Sequence, residues 1–250
     1  MGCTAQAFER DFTDDSVKKS FSKSLLVELF TSEGCSSCPP AEALLARYET
    51  EQPFEPVEII TLAFHVDYWD GLGWKDKYAS PLFTQRQKVY DRKFRTGQIY
   101  TPQMVVDGDI EFIGSREKAA KKAVKKASKR QKANITVVVT DKKVNVSVVG
   151  LRNEEPATVY LAFAEDGLGS RVEAGENAGK ELTHVSLVRE LRGIARVQTD
   201  AGSYSGLFDL NLKEEWSSEN LRIVAFVQEN FSRDVVAVTR SGYVSASLEP

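Results

Sequence analysis

The sequence contains little cysteine and histidine and has no long apolar run. Its 250 residues include 3 cysteines and 2 histidines. Three cysteines are too few for the disulfide framework of a small secreted domain, and a zinc site usually takes four nitrogen or sulfur ligands. No apolar stretch approaches the roughly 18 residues that a membrane-spanning helix needs. We therefore predict no transmembrane segment and no disulfide-stapled fold.

The amino terminus also lacks recognisable targeting signals. Met1–Arg10 contains no apolar core of a secretion signal. Gln6 stands where a myristoylation motif has Ser or Thr. We expect a cytoplasmic protein as the sequence is written, or a periplasmic or secreted protein if a leader was removed. Residues 1–22 are predicted to form an irregular amino-terminal arm in which Cys3 is an incidental thiol.

Overall charge and composition are ordinary for a globular chain. The formal net charge of −3 indicates no particular partner. Residues 115–132 are the exception, because their predicted helix is strongly basic. This helix either binds an anion, an acidic protein or a membrane surface, or presents a solvated outer face. We favour the solvated face because no aromatic residues alternate with the charges, and we predict no nucleic-acid partner.

The hydrophobic pattern changes along the chain and predicts two domains. Apolar Leu25–Phe30, a helical pattern after Cys38 and apolar Val57–Phe64 follow one another. This order is typical of a right-handed parallel βαβ unit. After residue 133, short runs that alternate apolar and polar residues predict about seven strands. We therefore predict an α/β domain at 23–132 and an all-β, immunoglobulin-like sandwich domain at 133–250.

Cys35 and Cys38 lie where the first predicted strand leads into the first predicted helix. The free N–H groups and the dipole at a helix amino terminus favour a negative charge, so we expect a lowered pKa for the Cys35 thiol. Cys38, one turn later, lies within reach of the first sulfur. The pair predicts thiol–disulfide exchange, with Cys35 attacking and Cys38 resolving.

Two other interpretations of the cysteine pair remain open. The pair forms an inert structural disulfide, or it belongs to a metal site with His65, to which Asp67 could add a ligand. The metal site is disfavoured because the sequence has no second CxxC and no His pair to complete four ligands. We predict no metal ion and no cofactor.

The segment His65–Trp74 follows the second predicted strand directly. Loops at the carboxyl ends of parallel strands build the site in open α/β sheets, so we expect this loop beside Cys35. The predicted substrate-binding residues of the loop are His65, Asp67, Tyr68 and Trp69. The alternatives are that His65 bonds to the backbone and that the aromatic residues, with Trp74, pack beneath the loop.

Thr101–Pro102 precedes a predicted hairpin whose turn is Asp107–Gly108. A proline cannot donate to a strand ladder, so Pro102 belongs at a strand start or an edge, and a cis bond is plausible there. With the CxxC and the βαβ unit, this feature makes residues 23–132 resemble a thioredoxin-like domain. The resemblance implies that Pro102 is cis, packs against the CxxC and, with Thr101, helps to receive an extended substrate.

Three motifs resemble a narrower family. They are VELFTSEGCSSCPP at 27–40, FHVDYWD at 64–70 and YTPQMVV at 100–106. They are similar to an uncharacterised thioredoxin-like family, a domain of unknown function that is mostly bacterial and often exported. The segment 175–179 with His184 also resembles its second half. The predicted fold is thus an α/β thioredoxin-like domain followed by an all-β, immunoglobulin-like sandwich domain.

The resemblance to thioredoxin itself is incomplete. Gly34 precedes the first cysteine in place of Trp, and Ser36–Ser37 separates the pair in place of Gly–Pro. The direction of exchange therefore stays open. A buried acid helps to deprotonate the resolving cysteine in related folds, and Glu33 and Asp67 are the candidates here. Loop capping is the alternative for either carboxylate and is the favoured one for Glu33.

These observations predict a thiol–disulfide oxidoreductase that acts on protein or low-molecular-weight thiol and disulfide substrates. The alternative is a redox-inactive binding or assembly module with a structural disulfide. The sequence predicts neither the natural substrate nor the oligomeric state.

Overall fold

The computed structural model describes residues 21–140 and 142–244. Cys3 and all but the last two residues of the predicted arm at 1–22 lie outside the described residues. Within them, no helix is both long and apolar enough to cross a membrane. The elements are β1 (Lys23–Thr31), α1 (Pro39–Glu51), β2 (Val57–His65), α2 (Pro81–Phe94), β3 (Gln103–Val106), β4 (Ile110–Ile113), α3 (Glu117–Ala127), β5 (Asn134–Thr140), β6 (Lys143–Leu151), β7 (Ala157–Glu165), β8 (Leu168–Arg171), β9 (Glu181–His184), β10 (Leu187–Val197), β11 (Gly202–Asp209), β12 (Leu221–Glu229) and β13 (Val235–Tyr243).

Eight strands form one mixed sheet in the order β13-β12-β7-β10-β2-β1-β3-β4. Strands β1 and β2 are parallel, and β3 runs antiparallel to β1. Strand β10 joins β2 in parallel through the pair Leu187 and Ala63. A three-stranded sheet, β11-β6-β5, and the pair β8-β9 complete the described strands. The molecule is therefore a mixed α/β fold with one large sheet and two smaller antiparallel ones.

The large sheet is covered on both faces because successive side chains of a strand point to opposite sides. On one face, Phe83 and Tyr90 of α2 pack on strands from both halves of the chain, including Phe64 and Phe226. On the other face, α1 and α3 cover the strands of the first half. The three-stranded sheet covers β7, β12 and β13 on that same face. One apolar core thus runs under strands of both predicted domains.

The elements predicted for 23–132 are confirmed in type and order. Helix α1 ends at Glu51, and α2 begins after Ser80, whose hydroxyl accepts a hydrogen bond from Leu82 N. The hairpin turns at Asp107–Gly108 as expected. The Thr101–Pro102 bond is cis.

The second half differs from its predicted arrangement. Strands β5, β6 and β11 form one sheet and β8 and β9 another, whereas β7, β10, β12 and β13 extend the sheet of the first half. The predicted strand Leu182–Val197 is broken at Ser186, which has a φ of 53°. The Ser186 carbonyl accepts a hydrogen bond from Ala63 N at 2.8 Å. This break turns β10 alongside β2, so the sheet continues past residue 133.

Helix α3 forms within the predicted basic segment 115–132, and Ala120, Ala123, Val124 and Ala127 are buried, as the apolar stripe predicts. Part of the segment's positive charge is paired inside the molecule. The Lys132 ammonium lies 2.6 Å from buried Asp107, and Arg130 lies 2.7 Å from Asp234. Those pairings favour a structural use of the segment.

Candidate functional site

Cys35 and Cys38 form a disulfide at the start of α1, with Cα atoms 5.4 Å apart. Cys38 is the last residue before the helix, and its carbonyl accepts from Ala41 N and Glu42 N. Pro39 begins the helix, where the missing N–H of a proline leaves no bond unmade. The strand-to-helix position predicted for the pair is therefore confirmed.

The disulfide lies one layer below the surface. Both cysteines are fully buried, although Ser36 and Ser37 between them are exposed. The Cys35 Sγ atom lies 3.4 Å from the Ser37 hydroxyl. A reagent that approaches from solvent therefore meets the two serines before it meets sulfur.

Residues of the second half cover the cysteine loop. The buried Asn177 side chain donates to Glu33 O at 2.8 Å and to Cys35 O at 3.0 Å. Ser36 N donates to the Glu176 carboxylate at 3.0 Å. The segment that contains these residues joins β8 to β9, so its position depends on the long-range fold. In the sequence, the resemblance of 175–179 to the family's second half drew attention to this segment, but it did not indicate contact with the cysteines.

The cis-proline loop and the loop after β2 meet at the same place. A Cβ placed on Gly114 would lie 3.1 Å from Ala41 Cβ and 3.4 Å from Pro102 Cβ, so Pro102 sits beside the first turn of α1. The Trp69 indole donates to Thr101 Oγ1 at 2.8 Å. A Cβ on Gly34 would lie 3.3 Å from Trp69 Cβ. The structure thus brings together the three segments that the sequence singled out.

Asp67 and Tyr68 are half-buried in the loop after β2. Thr84 Oγ1 donates to Asp67 Oδ1 at 2.5 Å, and Asp67 N donates to Thr84 Oγ1 at 3.2 Å. These bonds tie the loop to α2, which is a structural use of the Asp67 carboxylate. Burial raises the pKa of the Tyr68 hydroxyl to about 12, so this phenol stays protonated at neutral pH.

His65, at the end of β2, points inward and not toward solvent. Its side chain is 1% exposed, and its Nδ1 lies 2.6 Å from Asp76 Oδ2. The same Asp76 oxygen accepts from Glu33 N at 2.9 Å. His65 therefore links the loop after β2 to the cysteine loop through Asp76.

His184 is the residue to which sequence reasoning assigned no role, and the structure places it under the cysteine loop. Its Nε2 lies 3.1 Å from Glu33 Oε1 and its Nδ1 lies 2.9 Å from Glu42 Oε2. Burial opposes the charged imidazole, but the bonds to Glu33 and Glu42 outweigh it and raise the pKa of His184 to about 9. Trp74 Nε1 donates to the other Glu33 oxygen at 2.8 Å.

The rings of His65 and His184 meet edge to face, with centroids 4.6 Å apart. Glu42, His65 and His184 bring one possible ligand atom each within 4.8 Å of one another. This cluster joins the first turn of α1, the end of β2 and the end of β9. Its members are far apart in sequence, so no local sequence motif predicts the cluster.

Comparison with known proteins agrees with the fold. A family model described as "Protein of unknown function (DUF1223)" matches residues 26–228. A crystal structure of an Agrobacterium tumefaciens protein is similar, with a TM-score of 0.71 and 23% identity over 86% of this chain and 92% of that one. A domain of the outer membrane lipoprotein Omp28 from Porphyromonas gingivalis aligns over 44% of this chain and 86% of its own, with 23% identity and a TM-score of 0.27. No curated protein matches the chain.

Proposed function

We propose that this chain, which belongs to the DUF1223 family of proteins of unknown function, is a thiol–disulfide oxidoreductase. The observation that carries the proposal is the Cys35–Cys38 disulfide at the amino end of α1, beside the cis-Pro102 loop. A sulfur at that end of a helix is favoured as a thiolate. The substrate class is a protein or a low-molecular-weight thiol or disulfide.

The arrangement around the pair supports a thioredoxin-like unit at 23–132. In the sheet, these residues supply neighbouring strands in the order β2-β1-β3-β4. In the chain, α1 follows the cysteines directly and α3 follows the β3–β4 hairpin. We propose that residues 133–250 are the second, immunoglobulin-like sandwich unit predicted from the sequence. Their three-stranded sheet faces β7, β12 and β13 across an apolar core, and their Asn177 loop covers the cysteines.

The exchange proceeds in two displacements that balance in atoms and electrons. In the reduced protein, the Cys35 thiolate attacks a substrate disulfide, forms a mixed disulfide and expels one substrate thiolate. Cys38, after losing its proton, attacks the Cys35 sulfur and expels the second substrate thiolate. The substrate gains two electrons and the protein is left with the Cys35–Cys38 disulfide. The reverse sequence oxidises a dithiol substrate.

The surrounding residues take different parts in this reaction. Glu33 is the better of the two candidate acids for the Cys38 proton because of its place: it is buried in the cysteine loop itself, with His184 and Trp74 on its carboxylate, whereas Thr84 ties Asp67 to α2. Thr101, Pro102, Tyr68 and Trp69 are proposed to contact substrate. His65 and Asp67 are proposed to position that surface, since both side chains are bonded within the protein.

The experiment is a disulfide-reduction assay with insulin as substrate and dithiothreitol as electron donor. We compare the parent with Cys35→Ser and Cys38→Ser, and use Cys3→Ser as the matched thiol control. We expect both active-site variants to lose the rate above background and Cys3→Ser to keep it. Cys38→Ser should also accumulate a mixed disulfide with substrate. Equal rates for the parent and Cys35→Ser would overturn the proposal.

A redox-inactive binding or assembly module is the second candidate, and the full burial of both sulfurs favours it. A structural disulfide typically has a reduction potential below about −300 mV, whereas thioredoxin lies near −270 mV and strong oxidants near −120 mV. Equilibration of the folded protein with glutathione or dithiothreitol mixtures measures this potential. A potential between about −270 and −120 mV supports exchange. A value near the thioredoxin end indicates a reductant, and a value near the other end indicates a disulfide donor.

A further inference from the structure

Beneath the cysteine loop, the carboxylate of Glu42 and the imidazoles of His65 and His184 converge within 4.8 Å. We infer that these three side chains bind a divalent first-row transition-metal ion such as Zn²⁺. The inference does not depend on the redox proposal, because it uses neither cysteine.

The first argument is an unpartnered nitrogen. His65 is 1% exposed, its Nδ1 is bonded to Asp76, and its Nε2 has no hydrogen-bond partner within the described residues. A buried polar atom without a partner is unfavourable and rare in folded proteins. With Nδ1 occupied, Nε2 is the nitrogen that His65 offers to Glu42 and His184. A metal ion there gives this lone pair a partner.

The second argument is the way the two histidines are held. Metal-binding histidines usually donate their other ring N–H to a carboxylate or a carbonyl, which orients the ring. Here Asp76 holds His65 Nδ1 at 2.6 Å and Glu33 holds His184 Nε2 at 3.1 Å. The nitrogens on the cluster side are His65 Nε2, which has no partner, and His184 Nδ1, which lies 2.9 Å from Glu42 Oε2 and releases its proton when a metal binds. Both imidazoles therefore have their supporting carboxylate on the side away from the cluster.

The third argument is charge. The carboxylates of Glu33, Glu42 and Asp76 have side-chain exposures of 0%, 14% and 0%. Among the described residues, no lysine or arginine forms an ion pair with any of the three, and the histidines are their only cationic partners. Buried charges are normally paired or coordinate metals. A divalent cation at the cluster offsets the excess negative charge.

The donor set selects the class of metal. Two imidazoles and one carboxylate suit zinc and its neighbours, whereas calcium and magnesium prefer oxygen ligands alone. Bound Zn²⁺ lies about 2.0–2.2 Å from such donors, so the three side chains close in slightly on binding. Sequence analysis predicted no metal because it considered Cys35, Cys38, His65 and Asp67. The fold instead holds the cysteines in a disulfide and brings Glu42 and His184 to His65.

The binding test uses the full chain with the Cys35–Cys38 disulfide formed and Cys3→Ser present, so that no thiol binds metal. Chelator-treated protein is dialysed against ZnCl₂ and its bound zinc is counted. We expect one equivalent, with affinity at least 100-fold lower in His65→Gln and in His184→Gln. Asp76→Asn should lower affinity about 10- to 100-fold, as loss of a supporting carboxylate does. Asp67→Asn, a nearby carboxylate bonded to Thr84, is the control and should bind as the parent does.

A second measurement needs no cluster variant and so does not depend on variant folding. The chain has only two histidines, so ¹⁵N-histidine labelling gives four ring-nitrogen signals in the same Cys3→Ser protein. We expect Zn²⁺ to shift one nitrogen of each ring, His65 Nε2 and His184 Nδ1, while the other two stay protonated. Absence of stoichiometric zinc, or bound zinc with all four signals unmoved, would overturn the inference.

Discussion

Asn177 donates its side-chain amide to the main-chain carbonyl of Cys35 at 3.0 Å, across 142 positions of sequence. A second bond to Glu33 O, at 2.8 Å, makes the contact bidentate. Access to the disulfide therefore depends on a residue of the second half of the chain. The two hydrogen bonds hold the cysteine loop closed in the oxidised protein.

Replacing Asn177 with Ala should expose the disulfide to small reductants. The two bonds to the cysteine loop are worth about 1 kcal/mol each, about 2 kcal/mol together, so local opening should become roughly 30-fold more frequent. The measurement is the rate at which a water-soluble phosphine reduces Cys35–Cys38, followed by thiol labelling. Glu173→Gln, an exposed change in the same loop, is the control. Equal rates for Asn177→Ala and the parent would show that this residue does not limit access.

Gly108→Ala should strongly destabilise the fold. Gly108 has a φ of 68°, and a Cβ there would lie 1.8 Å from the Arg233 carbonyl oxygen. We expect a loss of about 3 kcal/mol or more, measured as a lower midpoint in urea. Gly97→Ala is the matched control, because Gly97 has a φ of 80° and a methyl group added there would meet nothing within 4 Å. The free energy of unfolding of that control should fall by only about 1–2 kcal/mol. Equal losses in the two variants would show that the contact with the Arg233 carbonyl does not matter.

The bond between Trp69 and Thr101 should couple the loop after β2 to the cis-proline loop. Trp69→Phe and Thr101→Val each remove one side of the 2.8 Å hydrogen bond. In a double-mutant cycle on the free energy of unfolding, we expect a coupling of about 1 kcal/mol. Additive effects of the two substitutions would mean that the contact contributes nothing to stability.

The buried pair of Arg86 and Glu28 should stabilise the core shared by both halves. Arg86 Nε lies 2.6 Å from the fully buried Glu28 carboxylate, and Arg86 Nη2 lies 3.2 Å from Gln228 Oε1 in β12. Arg86→Met leaves a buried carboxylate unpaired and should cost about 3–5 kcal/mol.

The double substitution Arg86→Met with Glu28→Met should recover much of this loss, because it leaves no unpaired charge. Urea unfolding followed by tryptophan fluorescence and by circular dichroism is the measurement. Since the core spans β1 and β12, both probes should shift together in one transition. A shift seen by only one probe would argue for independent halves.

Local patterns of the sequence were enough for the elements of 23–132. The apolar runs at Leu25–Phe30 and Val57–Phe64 predicted buried strands, and Ser80 before Pro81 predicted where α2 begins. The turn Asp107–Gly108 also follows from residue chemistry that acts over a few positions, whereas the cis bond before Pro102 was plausible from the residues and implied by the thioredoxin-like resemblance. Such features depend on backbone preferences that neighbouring residues set.

The partners of the candidate site could not be predicted in the same way. Glu33 and Asp67 were both candidates in the sequence, with loop capping favoured for Glu33, and packing separated them by placing Thr84 against Asp67 and His184 against Glu33. Likewise, the interruption at Ser186 that turns β10 onto β2 occurs within a run that reads as continuous strand. Periodicity reports which face of a strand is apolar, and it carries no information about which strand lies beside it.

By itself, the sequence determined the cysteine pair at a strand-to-helix junction, the proline-hairpin that follows and membership of a family. The tertiary structure decided that strands from both halves share one sheet, that Asn177 covers the disulfide and that His65 and His184 meet beside Glu42. The physical reason is the sequence separation over which each kind of interaction acts. Caps, turns and helix ends are set by residues a few positions apart, whereas sheet neighbours and buried charge clusters are selected by the burial and pairing of the whole chain.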